Sequence, residues 1–198
     1  FIFNEFLPQD LGYVDRGKEE NQMLLEVDFH VGKKQLKDIL QHVINTHGTT
    51  TTAEVLDDIK AMGYKYSTRA AMTVSISEMT VPPIKKKLIS DAEKKVEQIT
   101  VNYNRGRSTD EERHKNVIRV WQETDEALKD ALIEGLDKYN NIFMMADSGA
   151  RGSNQQIKQL AGMRGLMADT SGNTIELPIK SNFREGLDVL EYFISAHG

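Results

Sequence analysis

Between Met144 and Met167 the chain gathers residue types that seldom share one stretch. Four glycines (Gly149, Gly152, Gly162, Gly165), two arginines (Arg151, Arg164) and four methionines (Met144, Met145, Met163, Met167) fall there. Glycine at that density lets the backbone turn tightly, or lets another backbone approach it. Each arginine offers a planar fork of donors suited to phosphate, carboxylate or carbonyl oxygen. The run Ser148-Gly149-Ala150-Arg151-Gly152-Ser153 precedes a helical pattern. It has the composition of an anion cradle at a helix N-terminus, and equally that of a tight structural turn. The methionines suit an irregular core or an adaptable surface that repacks.

Other chemistry is hard to assemble from this sequence. The histidines are His30, His42, His47, His114 and His197, and no HExxH motif occurs. His42 and His47 are five apart, which does not place two ligands on one helical face. His114 reads as a solvated position, and His197 as a residue favoured by a helix C-terminus. There is no cysteine, hence no disulfide framework and no thiolate metal site. No close group of aspartates has the form that holds two ions for phosphoryl transfer. Neither a Walker A lysine motif nor a nucleophile elbow is present. No catalytic residue and no metal ligand are therefore assigned within the chain.

The elements that would position the glycine-rich stretch fall into three blocks, 1–81, 82–140 and 141–198. In the first, Phe1 to Leu7 suits a short strand or buried turn, and Met23 to Val31 a strand. Leu36, Ile39, Leu40, Val43 and Ile44 form one helical face that ends at Gly48. Thr52 is placed as the N-cap of a second helix, stopped at Gly63. Tyr64 to Ala71 follows as a short third helix, and Thr73 to Met79 as a strand. Pro82 and Pro83 then break the chain.

The middle block reads as two long helices joined by Asn104-Arg105-Gly106-Arg107-Ser108. Ile89, Ala92, Val96, Ile99 and Tyr103 line the first; Val117, Trp121, Thr124, Leu128 and Leu132 line the second. Thr109 with Glu112 makes a capping box. The wide faces are charged, so the pattern predicts an antiparallel hairpin projecting into solvent, held by its own thin seam. It serves as a strut or as a docking rod. In the last block Ser153 with Gln156 starts a short helix that ends near Gly162. Asp169 to Asn173 is a hairpin-type turn, Thr174 to Leu177 a strand, and Ser181 the N-cap of a final buried helix with Phe183, Leu187, Leu190 and Ile194 on one face. From spacing alone, Gly198 has the place of a C′ residue. The fold class expected is mainly α (α+β), a long helical hairpin flanked by two smaller mixed blocks with short strands.

Composition bounds the function classes. The 198 residues are 39% hydrophobic and 28% charged, with a net charge of −5. No global basic field attracts nucleic acid. No signal peptide or membrane span is apparent, which makes a cytoplasmic protein the expectation. The apolar start without Met points to a piece of something longer.

Ala146 to Ser153, then Gln156-Ile157 and Gln159 to Met167, resemble the bacterial RNA polymerase β′ subunit family. So do Pro178-Ile179, Ser181 to Leu187, Val189-Leu190, Tyr192 to Ser195 and His197-Gly198, as well as Phe3-Asn4-Glu5, Leu7-Pro8 and Ile76 to Pro83. The resemblance runs over the whole chain and is densest in the last sixty residues. It implies a pore-like block at 1–81, rim helices at 82–140, and at 141–198 an F-loop with the first half of a bridge helix. The chain would then form a wall of the enzyme's secondary channel, supporting template-directed nucleotidyl transfer by positioning and gating. Arg151, Lys158, Gln156 and Gln159 would face substrate or channel. Gly162, Met163, Arg164 and Met167 would support a trigger loop or line an inhibitor pocket. Asn182, Phe183, Arg184, Tyr192 and His197 would belong to the bridge helix, which in this family runs on past the matching His-Gly. Arg105, Arg107, Asp110, Glu111 and Glu112 would dock regulators.

The partners implied are the other polymerase subunits (β and the rest of β′), Gre-type factors, and a nucleoside triphosphate with the RNA 3′ end; no membrane is implied. Magnesium would be held by residues outside this chain, since the family's catalytic Asp motif and its trigger loop are both missing from it. The fragment alone is expected to be inactive. Lys158 stands where many relatives carry Arg, which keeps charge but loses bidentate geometry. The competing reading is an independent coiled-coil adaptor in which the glycine stretch merely packs.

Overall fold

The computed structural model describes residues 1–196, and the fold is mainly α. Among the described residues, pairing of extended segments is limited to two isolated antiparallel bridges, Gly165 with Ile179 and Ala168 with Thr174. The chain divides into two units: Phe1–Thr73 with Asp147–Ala150, and Val74–Ala146 with the chain from Arg151 onward.

The first unit is built on α1, Lys33–Arg69, which is broken at Gly48. Gly48 has φ +78 and ψ −175, a conformation that glycine alone adopts without strain. The predicted stop at Gly48 is therefore a kink, and beyond it the helix runs through Gly63 to Arg69 without a second break. Thr52 is not the cap expected; its hydroxyl donates to Gly48 O at 2.7 Å from inside the turn. Leu7, Leu11, Val27, Ile39, Val43 and Val55 form the core.

Of the two alternatives expected at Phe1 to Leu7 the turn forms, and the strand expected at Met23 to Val31 does not. Residues 2–6 make a 3-10 turn. Near Val27 the backbone is paired by a side chain instead of a neighbouring strand: Asn4 donates to Val27 O at 2.9 Å, and Val27 N donates to Asn4 Oδ1 at 2.8 Å. The loop from Gln9 to Glu26 is wound about one guanidinium. Arg16 donates to the carbonyls of Gln9, Gln22 and Leu24 and to Glu26 Oε1. Buried Glu26 also accepts from the amides of Tyr13 and Val14.

The second unit is built on the hairpin of α2, Lys85–Asn104, and α3, Asp110–Gly135. Both halves of the Thr109–Glu112 capping box are present, so the predicted start of α3 stands. Ala92, Val117, Val120, Trp121 and Leu128 fill the seam, joined by Met163 from outside the hairpin. The hairpin is thus not held by its own seam alone. Leu132 on α3 packs with Ile157 and Ala161 of α5, Asn154–Ala161.

The predicted strand over 73–79 is a 3-10 turn at Ile76–Glu78. Ser75 Oγ accepts Ser77 N, and Glu78 accepts Ser75 N, so side chains satisfy the backbone that a partner strand would have used. Asn140 Oδ1 accepts the amides of Ile142 and Phe143 and so starts α4, Asn141–Asp147, an element the apolar run had concealed. The Asp169 turn forms as expected, with Asp169 Oδ1 accepting from Ser171 N and Asn173 N at 2.8 Å each. The strand expected at Thr174 to Leu177 reduces to the single bridge at Thr174.

The final helix departs most from expectation. α6 spans only Val189–Ala196. Ahead of it, Gly186 takes φ +84 and Asn182 Oδ1 accepts Glu185 N at 2.8 Å, which closes a turn and not a helix. Asp188 Oδ1 accepts Glu191 N at 2.7 Å while Glu191 Oε2 accepts Asp188 N at 3.3 Å. Asp188, not Ser181, is the cap. The expected burial of its apolar face does not occur within this chain either, for Leu190, Tyr192 and Phe193 are each about three-fifths exposed (62%, 61% and 62%).

Candidate functional site

The glycine stretch is positioned by the two short helices on either side of it. Ser153 starts α5 by accepting Gln156 N at 3.4 Å. Upstream, Arg151 N donates to Met145 O at 3.1 Å and closes the chain back on α4. Gly152 bends between them with φ +89. These contacts enclose a cavity of about 360 Å³. Ile142 and Met145 of α4, Leu160 of α5, and Val74 and Phe183 supply its apolar lining; Arg151, Gln156 and Gln159 supply the polar groups. Arg151 and Gln156 are exposed. Among the described residues that line the cavity, Arg151 is the one cation. An apolar cavity with one guanidinium and two amides can orient an anionic or amide-bearing group at its mouth.

Lys158, grouped with these residues by sequence, is not among them. It lies on the hairpin side of α5, with its side chain 8% exposed and Nζ 2.5 Å from Asp125 Oδ2. Its ammonium is engaged there and does not face the Arg151 cavity. Burial pushes the Asp125 carboxyl above the usual range, and Lys158 offsets this only in part.

The second expected cluster separates. Met163 is fully buried in the hairpin seam. Gly162 cannot carry a side chain, because a Cβ there would lie 2.9 Å from Lys158 O. Arg164 and Met167 border a second cavity of about 320 Å³ with Trp121 and Asp125. The Arg164 guanidinium also lies over the Phe183 ring at 5.3 Å.

Of the residues assigned to the bridge helix, Asn182 is fully buried and donates to Ala161 O and Gly162 O at 3.0 Å each. Phe183 lines the first cavity. Arg184 donates to Met79 O. Tyr192 is exposed against Phe193, and His197 lies outside the described residues.

At the hairpin turn Arg105, Arg107, Asp110, Glu111 and Glu112 are all exposed. Asp110 already pairs with Arg113 at 2.8 Å, and Glu112 completes the capping box.

Sequence reasoning missed a carboxylate clamp beside that turn. Glu176 takes both Arg113 nitrogens, at 2.7 and 2.8 Å, and His114 Nδ1 at 2.7 Å. His114 is therefore a partner of Glu176 and not merely solvated. The Arg113 fork and then His114 hold the Glu176 carboxyl down to about 2. Lys85, buried, is likewise joined to Glu185 at 2.5 Å, and Lys180 to Glu93 at 2.5 Å while lying over Trp121. These pairs are 62 to 100 residues apart, so no local pattern could have announced them. Among the described residues, no three His, Cys, Asp or Glu side chains gather to hold a metal ion, and no helix is long and apolar enough to cross a membrane.

Comparison with known proteins gives a coherent result. The family described as RNA polymerase Rpb1, domain 3, matches residues 1–79, and RNA polymerase Rpb1, domain 4, matches residues 89–184. The chain is 72% identical over 198 residues to the DNA-directed RNA polymerase subunit beta′ of Lachnoclostridium phytofermentans. The chain belongs to the RNA polymerase Rpb1/β′ family. Subunits of the same description from Clostridium acetobutylicum and Caldicellulosiruptor saccharolyticus are 60% and 57% identical over 197 residues. All of this chain is covered in each case, but it spans only 16% of the first relative and 17% of the other two. It corresponds to a segment of the RNA polymerase subunit.

Proposed function

We propose that, within a complete RNA polymerase, this segment forms a wall of the secondary channel and supports template-directed RNA synthesis by positioning and gating near the active centre. The observation that carries this reading is the apolar cavity between α4, α5 and Phe183, with exposed Arg151 as its one cation beside Gln156 and Gln159. A guanidinium at such a mouth suits a nucleoside triphosphate or the RNA 3′ end entering a channel. Phe183, at the start of the bridge-helix segment, brings the moving part of the enzyme to the same cavity. Membership of the family over the whole length favours this reading over an adaptor that would share only a hairpin.

The working enzyme is a nucleotidyltransferase assembled in the cytoplasm with the β subunit and the rest of β′. Magnesium, as the family resemblance implies, would be held by residues outside this chain. Arg105, Arg107 and Glu111 at the turn end of the hairpin offer charged contacts to transcript-cleavage regulators, with Asp110 and Glu112 engaged in building the turn itself.

Arg151→Ala in the assembled polymerase tests the central claim. Nucleotide addition and transcript cleavage should both slow by about 100-fold, the lower end of what losing one positioned donor costs. Unchanged rates for both would remove the channel role from this cavity.

A further inference from the structure

Helix α5 separates two cavities. Gln156, Ile157 and Gln159 face the one that holds Arg151, while Lys158 faces the other, beside Asp125. Two kinds of contact seat the helix on the hairpin. Ile157 and Ala161 pack on Leu132, which fixes distance but not direction. The 2.5 Å pair of Lys158 Nζ with Asp125 Oδ2 supplies direction. The other oxygen, Asp125 Oδ1, is buried without a hydrogen-bond partner among the described residues. Lys158 is thus the group that offsets burial of this carboxylate. Gly162 closes the C-terminal turn of α5 tightly, since a Cβ there would lie 2.9 Å from Lys158 O, while Leu132 Cδ2 at 3.6 Å would be in ordinary contact.

The far side of α5 is coupled to the cavity by backbone. Phe183 N donates to Gln159 O at 3.1 Å, and Arg184 N to Leu160 O at 3.2 Å. A shift of α5 on the hairpin therefore carries Gln156, Gln159 and Phe183 with it.

We propose that Asp125 is a positioning residue: by holding Lys158 against α3 it sets the seat of α5, and through α5 the arrangement of Gln156, Gln159 and Phe183 around Arg151. The proposal rests on the reading that this cavity handles the nucleotide in the assembled enzyme. Asp125 touches no substrate in it, and Lys158 acts on the wall from behind.

The test is nucleotide-addition kinetics across a range of nucleotide concentrations, in polymerase assembled with the full-length subunit. Asp125→Asn leaves Lys158 buried without its counter-charge, a neutral carbonyl being the acceptor that remains; it should lower kcat by about 10-fold and leave KM within about twofold, as misplacement of a positioned group does. Lys158→Met should behave in the same way, while Lys158→Arg, which keeps charge and reach, should hold kcat within about twofold of the parent. Combined with Arg151→Ala, the Asp125→Asn effect should largely disappear, because both act on one cavity.

Full multiplication of the two losses, or a parental kcat for Asp125→Asn beside a slowed Arg151→Ala, overturns the positioning role and leaves the cavity reading standing. A parental rate for Arg151→Ala removes that reading, and this proposal with it.

Discussion

Two carboxylates tie the hairpin to chain that follows it, and their surroundings push them in opposite directions. Glu176 is a third exposed and meets a forked guanidinium and an imidazole. Its charge is welcomed, and its carboxyl falls to about 2. Asp125 lies deeper, meets one ammonium and leaves an oxygen unpaired. Its carboxyl rises. The difference shows that an ion pair's short distance says little about what holds it. Donor number and remaining access to water decide whether the charged form is favoured.

That contrast predicts unequal responses to mutation, measured by urea unfolding of this chain. Asp125→Ala strands the Lys158 charge in a buried site and should destabilise by about 3 kcal/mol. A loss below about 1 kcal/mol would mean that Lys158 escapes to solvent and that the pair is a surface contact. Gly162→Ala pushes a methyl group to 2.9 Å from Lys158 O, which is backbone and cannot swing aside. It should destabilise by about 2 kcal/mol, the range of overpacking. Stability at or above the parent's would show that the last turn of α5 opens enough at Lys158 O to admit a methyl group.

Glu176→Gln should be milder, about 1 kcal/mol at neutral pH, because water already screens part of the pair. Its signature is pH. The folded Glu176 carboxyl titrates at about 2, below the ordinary 4.5. Its contribution is thus fully present above about 4.5 and lost as pH falls towards 2. The variant should lose less stability than the parent over that interval. Asp125 has the opposite sign: its raised folded value makes its contribution decline as pH rises through the carboxylate range. Smallest of all, Arg119→Ala removes a 3.9 Å pair with Glu123 in which both side chains are about two-thirds exposed (69% and 64%). It should change stability by less than about 0.5 kcal/mol. A larger change would show that exposed charge contributes more to the hairpin than its buried seam implies.

The same contrast explains what the sequence could and could not disclose. The hairpin was legible because its information is local. Apolar residues recur at helical spacing, and Thr109 stands three residues before Glu112. Helix α5 was legible for the same reason, from Ser153 to Gly162. The strand at 73–79 failed because it had no partner strand to meet and Ser75 and Glu78 satisfied the backbone locally, while that at 174–177 shrank to the pairing of Thr174 with Ala168 and of Ile175 N with Met167 O. The last helix was misplaced because two caps competed. Ser181 fitted the apolar pattern, but Asp188 and Glu191 made the reciprocal pair. Arg151 was singled out by residue type and position, Gln156 joined it through the family resemblance, and one cavity brings the two together. Lys158, grouped with them by the same resemblance, turns to the other side of α5 because a lysine's direction depends on a partner 33 residues away.

In the first unit, two stretches of loop, one at Gln9 and one from Gln22 to Glu26, converge on Arg16. Without a cysteine in the chain, one guanidinium does there what a covalent bridge does in other small folds. It draws distant parts of a loop to a single point, and it remains intact in reducing surroundings. Once Arg16 leaves, Glu26 loses its counter-charge and the carbonyls of Gln9, Gln22 and Leu24 lose their donor at the same time, so these parts of the loop loosen together while buried Leu11 still holds it to the core.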